Sequence, residues 1–390
     1  MKAATFWLVA AGMLLLAGCS TIGGWFGGRG GDALKPAELS SFAATAAPQR
    51  LWSVDVGSGE DELGAGQAPA VDGGRVFAAA VEGGVTALDL QSGQAVWHHD
   101  SELRLSGGPG AGEGLVVAGS LEGDVVALDA ETGTLRWTAE VNNEILAAPV
   151  IGQGVVLVRS IDGRLTAFAQ DSGNRLWFWE RETPSLAVRG SGSPLLGPGL
   201  LFVGSDDGTL SAISLADGRL LWEQTIAAPE GRTELDRMAD IDGAPALDGT
   251  SVYVTSYKGR TMAIDGPSGR PLWAHDAGGP GVVAVGLDKV VVTDPQGTVW
   301  GLDKATGTAM WQQAALARRN VSAPAVQGDY AVVGDYEGYL HWLRLGDGAF
   351  AARVDAAGDA IRAAPVVVDG VLLAQSTGGE LSAWRIGAAP

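Results

Sequence analysis

Only one cysteine, Cys19, occurs in 390 residues, and there are only four histidines. A single thiol excludes a disulfide framework and any thiolate metal site. His98 and His99 are neighbours that a strand would point to opposite faces, and His275 and His341 stand far from them, so no metal is expected. Positive charge is also scarce: 26 Lys and Arg against 45 Asp and Glu leave a net charge of −19. That balance argues against binding to nucleic acid and against a polybasic grip on anionic lipid. The N-terminal apolar run, Ala3–Ala17, is interrupted by Thr5 and Gly12 and is too short to span a bilayer as a permanent anchor. No Ser/His/Asp arrangement and no phosphate-binding loop rises above the background.

Glycine and tryptophan are abundant, at 59 and 13 residues, within a 46% hydrophobic chain. Many short strands separated by glycine turns, around a large core, are the expected result. The N-terminus reads as a secretory signal, with Lys2 ahead of the apolar run. Its end, Leu16-Ala17-Gly18-Cys19, resembles the lipoprotein signal of bacteria, with small residues for a peptidase cleft and Cys19 as the lipidation site. Ser20 in place of an aspartate implies, by that resemblance, sorting to the outer membrane on the periplasmic side. The expected organisation is a signal peptide over 1–18, a lipidated and flexible Gly-rich tether over 19–48, and a repeat domain over 49–388.

The repeat begins with a glycine, reaches Leu or Ile five residues later (Phe168 and Trp384 in two copies), and continues through Ser/Thr-Gly to a Trp. "EGGVTALDLQSGQAVW" and "EGDVVALDAETGTLRW" are two instances. The glycine recurs at Gly83, Gly123, Gly163, Gly208, Gly259, Gly297, Gly338 and Gly379. Trp97, Trp137, Trp177, Trp222, Trp273 and Trp311 follow at intervals of 38–51 residues, the period of propeller blades. Each unit predicts a four-stranded antiparallel sheet too small to bury both faces alone. The fold class is therefore all-β, an eight-bladed β-propeller. The eighth unit lacks a Trp strand, whereas "RLWSVDV" (50–56) is a Trp strand without a unit, so Trp52 is expected to complete the last blade and close the ring.

The Leu-Asp-x-x-Thr-Gly-x-x-x-Trp unit resembles the repeat of pyrroloquinoline-quinone propellers, a family that holds both quinone-dependent dehydrogenases and non-catalytic assembly factors. An enzyme of that kind would need a quinone, Ca²⁺ and an aspartate base inside the ring. The adjacent cysteines typical of those enzymes are missing here, and Asp89, Asp129, Asp265 and Asp303 sit where a turn needs a side-chain acceptor. No catalysis and no cofactor are expected; a quinone dehydrogenase or a periplasmic ligand-binding propeller is the alternative.

Function is sought where the repeat is broken. Measured from the Trp to the proline that opens the next blade, most loops run 11–13 residues and Trp52 to Pro69 runs 17, while the adjacent pair Trp177 to Pro194 and Trp222 to Pro245 run 17 and 23. These two loops are consecutive and must emerge on one face. The first holds "PSLAVRGSGSP" and the second "TELDRMADIDGAP". Leu186 and Val188, with Arg189 beside them and Asp240 and Asp242 on the neighbouring loop, make a candidate recognition patch. The two segments resemble those of the BamB family of outer-membrane assembly lipoproteins. That resemblance implies docking on the periplasmic POTRA domains of BamA, contacts with other Bam subunits, and service to nascent outer-membrane proteins. It assigns Leu186, Val188, Arg189, Asp240 and Asp242 to the partner. Whether the two aspartates face Arg189 or the partner stays open, and residues 332–343 are read as blade structure only.

Overall fold

The computed structural model describes residues 35–57, 67–187 and 192–388. Cys19, the signal segment, Val188 and Arg189 lie outside the described residues. Among the described residues, thirty-two strands form eight sheets of four, each antiparallel, and seven of them are built from consecutive strands. Blade 1 begins at Ala70 and blades 2 to 7 follow in chain order. Blade 8 combines Val366–Val368, Val371–Gln375 and Glu380–Ala388 with the N-terminal strand Ala46–Asp55. The innermost strands are only two or three residues long, and successive ones touch. Small residues permit that approach: a Cβ at Gly110 would lie 1.9 Å from the Pro149 carbonyl oxygen of the next blade.

The tryptophan series joins blade to blade. Each indole Nε1 donates to a backbone carbonyl of the following blade, as Trp97 does to Ala130, Trp137 to Gln170 and Trp177 to Leu215, over 2.8–3.1 Å. The ring then lies on the glycine of the turn before that blade's last strand, Gly133, Gly173 and Gly218 in these cases. The turn aspartates act as expected: Asp129 Oδ1 accepts from the amides of Glu131 and Thr132, and Asp303 from those of Ala305 and Thr306.

Trp52 closes the ring in the same manner. Its indole donates to Leu90 of blade 1 at 2.9 Å and covers Gly93. The strand around it pairs with the last strand from Ala46↔Ala388 to Asp55↔Glu380. Blade 7 departs from the series, with Ala352 in the Trp position, and the structure explains it. Blade 8 takes its outer strand from the N-terminus, so it has no Ser/Thr-Gly turn for a seventh indole to cover. Ala46, Ala351 and Ala352 fill that place against Trp342 and Trp384, whose rings meet edge-on at 6.4 Å.

Residues 35–45 fall in the segment expected as a flexible tether, and the structure instead straps them along blades 6 and 7. Three arginines hold successive carbonyls of the strap. Arg318 Nε donates to Lys35 (2.6 Å), Arg319 Nη1 to Ala37 (3.1 Å) and Arg353 Nη1 to Ser40 (2.9 Å). Phe42 stacks on Phe350 at 5.3 Å, with the Arg353 guanidinium over both rings. Beneath lies a polar group centred on Asp335 and His341, both buried and both within residues 332–343. Asp335 accepts from Arg319 Nε (2.7 Å) and from His341 (2.9 Å), while Arg353 Nε donates to His341 Nδ1 (3.1 Å). That last bond leaves the proton of a neutral His341 on Nε2, facing Asp335.

Candidate functional site

The two swollen loops emerge on one end of the ring, the end that also carries the turns between the second and third strands of each blade. The loop from blade 3 leaves through Arg181, whose guanidinium pairs with Asp207 (2.7 Å) and Glu223 of blade 4. Leu186 is 40% exposed on it. The loop returns at Gly192, and there it meets the second loop backbone to backbone. A Cβ at Gly192 would stand 2.9 Å from the Asp242 carbonyl oxygen and from Gly243.

The second loop is pinned at both ends. Lys258 Nζ donates to the carbonyls of Ala228 (3.1 Å) and Glu230 (2.7 Å). A single helical turn, Glu234–Arg237, follows and leaves Leu235 70% exposed. The chain then dives inward: Ala239, Asp240 and Ile241 are fully buried. Ile241 packs with Phe202, Leu210 and Val254 and sits over Gly204, where no Cβ would fit. Its amide donates to Ser205, and the Asp240 carbonyl accepts from the Tyr257 amide (2.8 Å). A buried Leu or Ile recurs four residues before the blade-opening proline at Leu105, Ile145 and Ile361. Ile241 therefore belongs to the scaffold, and this spacing is visible in the sequence once the structure has marked it.

Of the five residues expected in the patch, Leu186, Asp240 and Asp242 are described, and they occupy different levels. Leu186 is at the surface, Asp242 is only partly accessible, and Asp240 is wholly buried. The two aspartates lie with Asp206, from a turn of blade 4, so that one carboxylate oxygen of each is within 4.8 Å of the others. This is the only such grouping of metal-ligand side chains among the described residues. Burial pushes the Asp242 carboxyl up to about 8, the charges of Asp240 and Asp206 push the same way, and Arg159 opposes them. Asp206 is raised for the same leading reason, with Arg159 again opposing.

Arg159 was not among the expected residues. It ends the second strand of blade 3, is 3% exposed, donates from Nη1 to the Gly192 carbonyl (3.0 Å), and places Nη2 3.7 Å from Asp206. A signal for it exists in the repeat. The equivalent position holds Ala79, Gly119, Gly204, Thr255, Thr293, Gly334 and Gln375 in the other blades, so Arg159 is the one charged residue in a column of small or neutral ones.

A closed ring of eight four-stranded blades, with two long braced loops on one end, defines a β-propeller. The particular kinship follows from comparison. A family model described as "Outer membrane protein assembly factor BamB" matches residues 81–313 and 262–389. A protein of that name from Xanthomonas campestris is 56% identical over 392 residues, covering 97% of both chains. The one from Pseudomonas aeruginosa is 46% identical over 353 residues, covering 90% of this chain and 93% of its own. The crystal structure of BamB from Moraxella catarrhalis superposes with a TM-score of 0.80 at 25% identity, covering 87% of this chain and all of that one. The chain belongs to the BamB family of outer membrane protein assembly factors. With that, the dehydrogenase alternative gives way to an assembly role.

Proposed function

We propose that the chain is a lipid-anchored scaffold of the barrel-assembly machinery that docks on the POTRA domains of BamA through the loops joining blades 3, 4 and 5. The observation that supports this reading is the contact of Gly192 with Asp242 and Gly243. It joins two long, consecutive Trp-to-proline loops into one bracket, with Leu186 and Leu235 exposed on it. An apolar tip on a braced loop loses little entropy on binding, which is the economy that interface anchors share. Cys19 would carry the lipid, and Val188 and Arg189 complete the loop segment that resembles the docking segment of the family.

The test is binding of the purified propeller to the POTRA region of BamA, by calorimetry or surface plasmon resonance. Leu186→Glu and Leu235→Glu are expected to weaken binding by about tenfold or more, as loss of an apolar anchor does. Leu287→Glu is the control, because Leu287 is 91% exposed on a turn at the opposite end of the ring. Equal binding by all three folded variants would refute the assignment of the docking face.

A further inference from the structure

We infer that Arg159 is the positioning residue of the paired-loop face: its guanidinium, rising from the floor of blade 3, sets the loop bearing Leu186 against the loop from blade 4. The inference rests on the docking reading above for its function, but not for its geometry.

Three pieces of chain meet at this side chain, and a fourth rests on one of them. Its own strand belongs to blade 3, Gly192 closes the first loop, Asp206 lies in a blade 4 turn, and Asp242 and Gly243 of the second loop pack against the Gly192 that Arg159 holds. Carrying a guanidinium into a nearly dry site is costly unless opposite charge and hydrogen-bond acceptors meet it there. Seven blades of this ring build the same corner with a neutral residue, so the ring itself has no need of the charge. What blade 3 has in addition is the long loop returning over that corner at Gly192. The planar fork of arginine suits the task because it addresses two groups at once, the Gly192 carbonyl with one nitrogen and the Asp206 carboxylate with the other. A lysine would deliver one point of charge without the fork.

Asp240 and Asp242 take a corresponding meaning. Their carboxyl groups cluster with that of Asp206, the ion-pair partner of Arg159, and the Gly192 backbone rests on the Asp242–Gly243 peptide. Substituting either aspartate would thus disturb docking by moving the loops, with no direct contact to the partner required.

The experiment compares wild type with Arg159→Met, which keeps the apolar stem and removes the charge and fork, and with Arg159→Lys, which keeps the charge. Hydrogen–deuterium exchange is read on the full chain for residues 181–192 and 226–245, and binding to the POTRA region is measured alongside. The expected result for Arg159→Met is exchange faster by about tenfold in both loops, unchanged exchange in the Trp strands, and weaker docking by a similar factor. Arg159→Lys should recover part of both losses. Unchanged loop exchange in a folded Arg159→Met overturns the inference, as does loosening spread evenly over all blades. If Arg159→Met fails to fold, Asp206→Asn, which removes only the charge facing Nη2, takes its place with the same two readouts and the same refuting outcomes. If the loops loosen as expected but wild type itself does not bind the POTRA region, the docking reading falls and the positioning geometry stands.

Discussion

Substituting Gly173 by alanine tests the reasoning behind the ring more sharply than removing any tryptophan. Gly173 has φ of +69°, and a Cβ there would lie 2.6 Å from Cε3 and 2.7 Å from Cδ2 of Trp137 in the preceding blade. Two penalties therefore add. An L-residue in the left-handed region costs roughly 1–2 kcal/mol, and forcing a methyl into a packed contact costs roughly 1–3 kcal/mol more. Gly154 separates them, because its φ is +78° but nothing lies within 4 Å of its Cβ position. Gly154→Ala should cost about 1–2 kcal/mol from the backbone alone, and Gly173→Ala about 2–5 kcal/mol. Urea denaturation of the full chain, followed by circular dichroism and tryptophan fluorescence, reads the difference as a shift in midpoint. In a Trp137→Leu background the ring is gone, and Gly173→Ala should become as mild as Gly154→Ala. Equal costs for the two alanines in the wild-type background would refute the claim that the indole, and not only the turn, demands glycine.

Two pH dependences should run in opposite directions. Burial depresses the pKa of His341 below its ordinary 6.5, although the bond to Asp335 pulls it upward. The unfolded chain therefore binds a proton more readily, and stability is full above pH 6.5 and declines as pH falls from there towards the depressed value. Because Nδ1 accepts from Arg353, protonation there should free the strap, and limited proteolysis near residues 35–45 should speed up as pH falls below 6.5; a His341→Gln chain should lose that trend. Asp242 behaves inversely. Its folded carboxyl titrates at about 8 against 3.8 in the unfolded chain, so the stability it carries is full below 3.8, falls through that window and levels off above 8. Denaturation midpoints of wild type should drop relative to Asp242→Asn as pH rises from 5 to 9, and a constant gap would refute the assignment.

The ring was legible in the sequence because its determinants are local and repeated. A glycine five residues before a core Leu, a Ser/Thr-Gly turn and a Trp strand recur at nearly even intervals, and the orphan strand around Trp52 matched the unit that lacked one. The place of the candidate face was legible too, since loop lengths are counted along the chain. Depth was not. Leu186 and Asp240 read alike as loop residues, yet the first is exposed and the second is buried beside Ile241, whose own packing depends on Gly204 thirty-seven residues earlier.

The sequence by itself determined the number of blades, the strand order within them and the closure of the ring, because each follows from hydrophobic alternation and turn chemistry inside a unit of roughly forty residues. Only the tertiary structure decided how the units meet. It placed Ala352 where a Trp is usual because blade 8 offers no turn to cover, and it drew residues 35–45 onto blade 7 through Arg318, Arg319 and Arg353. It also brought Arg159, Gly192, Asp206 and Asp242 to one point. Those contacts join segments of chain that share no local pattern, and a burial cost or an ion pair between them has no expression until the ring has brought them together.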